Sequence, residues 1–261
     1  MENSLLDLIL LSEKRTNVLL LLLEGPKDIE TIKKRLNASA TSVQPQVKKL
    51  KEQHLVVQEK NLYCLSEIGK IIAEKMKPLI DTIYVLEENA DYWADRDLSG
   101  FPPFFRSRIH ELGHCTLIES QIDHIFELIP EYTENAEKAR QLEAVIPYFH
   151  PLFPSFYLKI AEKGASVSLI LPEMILKRWA EDYREQTEKF IEMKNSKLFI
   201  CSDCERIPAI TAADNFMAIA LFPKNAMFDR KYILCFEPGA IDWGKKLYDY
   251  YEQSAERIFE I

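Results

Sequence analysis

Nothing in this sequence supplies a membrane span or an export signal. The apolar run Val18 to Leu23 is six residues long, far below the ~20 that a bilayer crossing needs. The opening MENSLLDLIL carries an acid where a signal peptide carries bases, and no small-residue cleavage site follows it. Cysteine is also sparse. Five residues, at 64, 115, 201, 204 and 235, form an odd set in a chain of 261, which speaks against a disulfide-stapled fold and predicts reduced thiols in the cytoplasm. The Cys201-x-x-Cys204 pair has no second cysteine or histidine pair near it in sequence, so it lacks half of a structural zinc site. The apolar Leu198-Phe199-Ile200 before it predicts a strand in which Cys201 is a small buried hydrophobe. What the chain does have is core and charge: 47% hydrophobic and 28% charged residues exclude disorder and fit one large or two ordinary domains.

The charge is unevenly spread. Residues 1–77 carry 13 Lys+Arg against 10 Asp+Glu, net +3, and residues 78–261 carry 20 against 31, net −11. Such an asymmetry marks a boundary. Between residues 31 and 55, Lys33, Lys34, Arg35, Lys48, Lys49 and Lys51 meet a single acid, Glu52. A basic patch on a protein of net charge −8 points to a polyanion partner for that part alone, a solvated helix face being the alternative.

The order of elements favours the polyanion. Apolar spacing predicts helix from Leu5 to Leu11 and from Val18 to Leu23, stopped at Gly25-Pro26. Asp28 caps a short helix with Ile29, Ile32 and Leu36 on one face, and Asn37 to Ala40 makes a tight turn. A third helix follows, and the strands 55–58 and 62–65 flank Glu59-Lys60-Asn61 as a hairpin. Helix, helix, turn, helix, hairpin is a winged helix-turn-helix, an α+β domain. In the third helix Val43, Val47 and Leu50 share a buried stripe, which turns Ser42, Pro45, Lys48 and Lys49 outward with Gln44 and Gln46 on the flanks. Amides can pair with adenine and lysines neutralise phosphate. The expected contacts to double-stranded DNA are therefore Thr41, Ser42, Gln44, Pro45, Gln46, Lys48 and Lys49, with Lys60 and Asn61 at the hairpin tip. Pro45 fits if Ser42 is the N-cap, because the third helical N–H has no intrahelical partner.

Residues 12 to 76, with VQPQVKKLKEQHLV and then NLYCLSEIGKII, resemble the winged-helix domain of archaeal, chiefly methanogen, transcriptional regulators. In that family the wing leads into a serine- or threonine-capped helix, a step that Leu65-Ser66-Glu67-Ile68-Gly69 fits. YFHPLFPSF (148–156), KGASVSLILPEMILKRW (163–179), TAADNFMAIALFP (211–223) and WGKKLYDYYEQSAERI (243–258) are similar to the C-terminal domain of the same regulators, named for filament formation. The resemblance spans nearly the whole chain and implies a DNA-binding regulator with a sensor domain.

Independently of that likeness, residues 115–261 alternate strands with helices. Strands are expected at 116–118, 144–147, 165–171, 197–201, 208–212 and 216–222; helices are expected at 122–140 and 150–163, from Pro172, and from Gly239 to the end. This predicts an α/β domain with a mostly parallel sheet covered on both faces. Lys163-Gly164-x-x-Val167 feeding a buried strand looks like phospholipase-D-like sheets, but the catalytic H-x-K is missing, since none of the five histidines has a lysine two residues on. Tyr148, His150, Phe153, Phe156, Tyr157 and Trp179 gather aromatic surface that would form either a small-effector pocket or core; Asp214 and Asp229 sit in turns where the resemblance to the regulators places acids, which implies polar ligand contacts or turn caps there. Between the two parts, residues 66–94 read as one long helix bent at Pro78, with Ile68, Ile72, Lys75, Leu79, Ile83 and Leu86 along a face. It is the expected seat of a homodimer.

One motif competes with this reading. HELGH, residues 110–114, fits H-E-x-x-H, in which His110 and His114 would hold zinc with Glu111 as base of a hydrolase. Gly113 compromises the helix that site needs and reads as its C-cap. A contact module without DNA affinity is a third possibility. The expected organisation is a DNA-binding domain at 1–77, connector and dimerisation helices at 78–112 and an effector-sensing domain at 113–261, with no catalysis, metal, cofactor or membrane.

Overall fold

The computed structural model describes residues 4–120, 127–202, 207–225 and 229–261, and the chain divides into two units, Met1–Ile80 and Asp81–Ile261. In the first, α1 (Leu5–Leu10) and α2 (Glu13–Leu23) precede Gly25, whose φ of 117° turns the chain into β1 (Lys27–Asp28). The Asp28 carboxylate accepts from the Thr31 N–H at 2.7 Å and starts α3 (Ile29–Arg35). Asn37, at φ 46°, closes the turn into α4 (Ala40–Glu52). The hairpin β2 (Val56–Glu59) and β3 (Leu62–Leu65) then gains β1 on the free side of β3, giving an antiparallel sheet of order β1-β3-β2. Val18, Leu19, Ile32, Val43 and Leu50 are fully buried where α2, α3 and α4 meet. Each such side chain contributes about 1.5–3 kcal/mol.

Two expectations are corrected here, and one strand is new. α4 begins at Ala40 with Ser39 as its flanking residue, so Pro45 is the sixth helical residue and not the third. Its ring and missing N–H disturb the ladder at the Thr41 carbonyl, and this is tolerated because Pro45 lies on the solvent side. β1 was not foreseen, since two residues show no periodicity. The long helix is also shorter: α5 runs Glu67–Glu88, Asn89 breaks it, and α6 (Ala90–Asp95) follows. α5 is pinned at its start, where the Ser66 hydroxyl accepts from the Gly69 N–H at 3.0 Å and donates to the His54 carbonyl at 2.6 Å.

The second unit continues through α7 (Pro103–Arg106), a 3-10 turn (Ile109–Leu112) and β4 (Cys115–Glu119). Then come α8 (Pro130–Lys138), β5 (Gln141–Val145), α9 (Phe153–Glu162), β6 (Ser166–Pro172), α10 (Glu173–Asp182), α11 (Arg184–Glu192) and β7 (Ser196–Cys201). β8 (Ala209–Ala213), β9 (Met217–Ala220), β10 (Lys231–Cys235), α12 (Pro238–Glu252) and β11 (Glu256–Ile258) complete it. The sheet order is β11-β7-β6-β5-β8-β9-β10-β4. Side chains of β6 alternate between two cores: Val167, Leu169 and Leu171 pack with α8 and α9, while Ile170 packs with α12.

The mostly parallel sheet is overturned. Only β5–β6 and β6–β7 pair in parallel among the described strands; the remaining neighbours are antiparallel. Helices α9 and α10–α11 provide the crossovers that parallel pairing requires. β8 and β9, by contrast, are joined by three residues, which permits only antiparallel return. The final helix stops at Glu252, and the chain adds β11 to the edge of β7. Of the helix expected at 122–140, residues 122–126 lie outside the described set. Cys201 is buried, as expected, but is disulfide-bonded, which departs from the reduced thiols expected.

Candidate nucleic-acid interface

The burial pattern of α4 sorts its residues. Val43, Val47 and Leu50 face the core, and Thr41, Gln44, Pro45, Lys48 and Lys49 are exposed. Ser42 and Gln46 are half-buried and engaged within the unit: the Ser42 hydroxyl donates to the Ser39 carbonyl at 2.9 Å, and the Gln46 side-chain oxygen accepts from Arg15 Nη1 at 2.8 Å. Arg15 also donates to the Leu8 carbonyl. It thus ties α2, the end of α1 and α4 together, a role invisible in sequence because Arg15 and Gln46 are 31 residues apart. Gln44 is the amide that stays exposed. The N-cap role expected of Ser42 belongs instead to the position of Ser39, whose hydroxyl lies 3.0 Å from that of Thr41.

The basic patch is partly neutralised within the chain. Lys33 pairs with Glu30 at 2.7 Å, Arg35 with Glu24 at 2.7 Å, and Lys48 lies 3.9 Å from Glu52. Lys51 donates to Gln58 at 2.7 Å and lies over the Tyr63 ring, bracing α4 against the hairpin. Lys34, Lys49 and Lys60 have no acid partner among the described residues. Lys60 and Asn61 form the two-residue tip between paired Glu59 and Leu62, and both are exposed. Lys60 sits at φ 55°, the left-handed region that suits glycine. A lysine held there at a conformational cost is a functional pointer.

The competing zinc motif comes apart. The 3-10 turn ends at Leu112, and Gly113, at φ 59° and ψ −142°, turns the chain before His114. His110 Nδ1 is buried, Arg108 grips the Glu111 carboxylate at 2.7 and 2.8 Å, and His114 pairs with Glu88. The two histidines are therefore not one helical turn apart on a shared face.

The residues expected around an effector do not converge on one site. Tyr148, Phe153 and Tyr157 line one cavity with Tyr132, Thr211 and Tyr232, where Tyr132 bonds Tyr157 at 2.7 Å and Thr211 at 2.9 Å, and Tyr148 bonds Tyr232. Only about 10 Å³ is left between them, room for one water at most. His150 stacks on Phe153 at 5.1 Å and, through burial and the adjacent Arg230 guanidinium, is held down to about 4. Trp179 is sealed in the core, and Phe156 packs on Tyr157. Asp214 accepts the Arg140 and Gln141 N–H groups; although burial opposes it, these bonds hold its carboxyl below the usual range. Asp229 pairs with the buried Arg96 at 2.6 Å. Tyr132, Thr211 and Tyr232 were missed because nothing in a lone tyrosine or threonine signals convergence on a distant strand. A larger cleft, about 590 Å³, opens at the carboxyl ends of β5, β6 and β7, lined by Pro147, Pro172, Met174, Ile175 and Lys177.

Comparison with known proteins bears on both units. Residues 4–84 match the family model of the methanogenesis regulatory protein FilR1, N-terminal domain, and residues 125–254 that of its middle domain. The methanogenesis regulatory protein FilR1 of Methanothrix harundinacea (strain 6Ac) is 20% identical over 256 residues, which are 95% of this chain and 57% of that protein. The chain thus spans little more than half the length of this curated relative. Among solved structures, TrmBL2, an archaeal chromatin protein that shows a novel mode of DNA binding, superposes with a TM-score of 0.42 at 11% identity, covering 95% of this chain and 94% of that one. Nuc, a phospholipase D family member from Salmonella typhimurium, gives 0.40 at 9% identity over 56% of this chain and 99% of its own.

Proposed function

The chain belongs to the family of the methanogenesis regulatory protein FilR1, whose N-terminal and middle domains it carries, and on that premise we propose that it is a DNA-binding transcriptional regulator. The first unit acts as a winged helix-turn-helix, with α4 as recognition helix and β2–β3 as wing. The observation that carries this is the division of α4 into a buried apolar face and an exposed face of Thr41, Gln44, Pro45, Lys48 and Lys49, followed by a hairpin that displays Lys60 and Asn61 at its tip. Gln44 is the base-reading amide; Lys34, Lys49 and Lys60 meet phosphates. Gln46, held by Arg15, positions the helix.

The regulator acts as a homodimer through α5. Ile68, Ile71, Leu79 and Ile83 are 54, 61, 54 and 40% exposed and fall within about 120° of arc at 100° per residue, an apolar stripe that a second copy would cover. An effector would act on the second unit. The cleft at the carboxyl ends of the parallel strands, about 590 Å³, has the size of a small-molecule site and the place where α/β sheets hold ligands. The aromatic cavity supports a core role.

The deciding experiment is sequencing of DNA retained by the purified chain, followed by binding to the recovered duplex with Lys49→Ala and Gln44→Ala. Lys49→Ala is expected to weaken all duplexes alike and Gln44→Ala to relax preference at one or two base pairs. If no duplex is retained at low salt, the reading falls.

A further inference from the structure

Among the described residues β4 is an edge strand, bonded on one side only, to β10. Their register sets Cys115 opposite Cys235, and the two sulfurs are 2.8 Å apart. Both are free thiols, 1 and 0% exposed. That separation is well inside ordinary sulfur contact and about 0.8 Å from the bond length of a disulfide, with the cross-strand placement that keeps both Cβ vectors on one face. The second observation is what holds this point of the sheet. The Cys115 N–H donates to Glu88 Oε2 at 2.8 Å, and its carbonyl accepts from Asn89 Nδ2 at 3.0 Å. Glu88 is the last residue of α5 and pairs also with His114, whose N–H donates to Glu237 at 3.0 Å, two residues beyond Cys235. The end of α5 is thus anchored on the backbone of one member of the dithiol.

We propose that Cys115 and Cys235 form a redox modification site that closes to an intramolecular disulfide by exchange with a low-molecular-weight disulfide, and so fixes the edge strand that anchors α5. The small disulfide first meets Cys115 when the start of β4 opens from β10: the Cys115 thiolate bonds to one small sulfur and expels the other as a thiol. The Cys235 sulfur then attacks Cys115 Sγ, forming the Cys115–Cys235 bond and expelling the second small thiol. The protein loses two electrons and two protons, and the reagent gains them as two S–H groups. In the closed strand pair the thiols are protected. The Cys115 thiol, burial and the nearby Glu237 and Glu88 carboxylates hold the Cys235 thiol up, so little thiolate exists until the edge opens. The site therefore answers to sustained exposure and not to a brief pulse.

The test treats the full chain with hydroxyethyl disulfide and reads it three ways. Intact mass is expected to fall by two hydrogen atoms, with a peptide joining residues 115 and 235. Amide exchange at Cys115, Thr116 and Asn89 is expected to slow by about tenfold or more once the edge cannot open. In Cys235→Ser the reagent's half is expected to remain as a mixed disulfide on Cys115; if that variant does not fold, the wild-type mapping decides alone. Absence of the linked peptide after prolonged exposure overturns the site, and a linked peptide without slowed exchange overturns its effect on the anchor. A change of duplex affinity of about fivefold or more, reversed by dithiothreitol, would follow from the same closure. That arm alone rests on the proposed function: if neither form binds a duplex, the DNA reading fails while the peptide and exchange results stand.

Discussion

Replacing Lys60 by glycine should move stability and DNA affinity in opposite directions. At φ 55°, a residue with a Cβ is disfavoured by about 1–2 kcal/mol relative to the right-handed region, and glycine is not. Glycine in turn loses more backbone freedom on folding, by about 0.5–1 kcal/mol. The difference favours the variant by up to about 1.5 kcal/mol, expressed locally because Lys60 is exposed and its side chain makes no hydrogen bond or ion pair among the described residues that glycine would delete. Amide exchange in Val56–Glu59 and Leu62–Leu65 reads hairpin opening directly and should slow by up to about tenfold. Affinity for the recovered duplex should fall, and the slope of log K against log salt should shrink by about 0.9, the loss of one phosphate contact. Lys60→Arg keeps the charge and the strain, so it should change neither. A variant whose hairpin opens faster refutes the strain argument. An unchanged salt slope refutes the placement of the wing on phosphate.

Three further outcomes follow from the packing. A Cβ on Gly69 would lie 1.9 Å from the Leu55 carbonyl oxygen, so Gly69→Ala must push α5 off the hairpin and cost about 1–3 kcal/mol in urea unfolding of the first unit; no loss would mean that the close approach is not needed. Leu79→Glu, a half-exposed position on the apolar stripe, should convert a dimer to monomer in analytical ultracentrifugation with helicity unchanged, and a wild-type monomer at micromolar concentration would exclude the α5 dimer. His150, held down to about 4 by burial and Arg230, binds its proton more readily in the unfolded chain, near pH 6.5. Its contribution to stability is therefore complete above about pH 6.5, declines as pH falls, and is lost below about pH 4; His150→Gln should flatten the acid limb of a thermal-stability profile, and an unaltered profile would show that the histidine stays solvated.

The sequence alone determined what local chemistry can specify. Asp28 before Ile29 starts α3, the Val43, Val47 and Leu50 spacing sets the buried face of α4, and Gly25 and Gly113 turn the chain where periodicity stops, because caps, helical repeats and positive φ are properties of a few consecutive residues. Tertiary structure decided whatever depends on a distant partner. It placed β1 beside β3 and β11 beside β7, elements too short to carry a pattern of their own. It made the sheet mainly antiparallel, since strand direction is fixed by how the chain returns and not by the apolar content of a strand. It tied Gln46 to Arg15 and drew Lys33 and Arg35 into ion pairs, so that an evenly basic segment offers a few free charges. It set Cys115 against Cys235 across 120 residues, a contact that no local spacing could announce because register is fixed only when two whole strands pair.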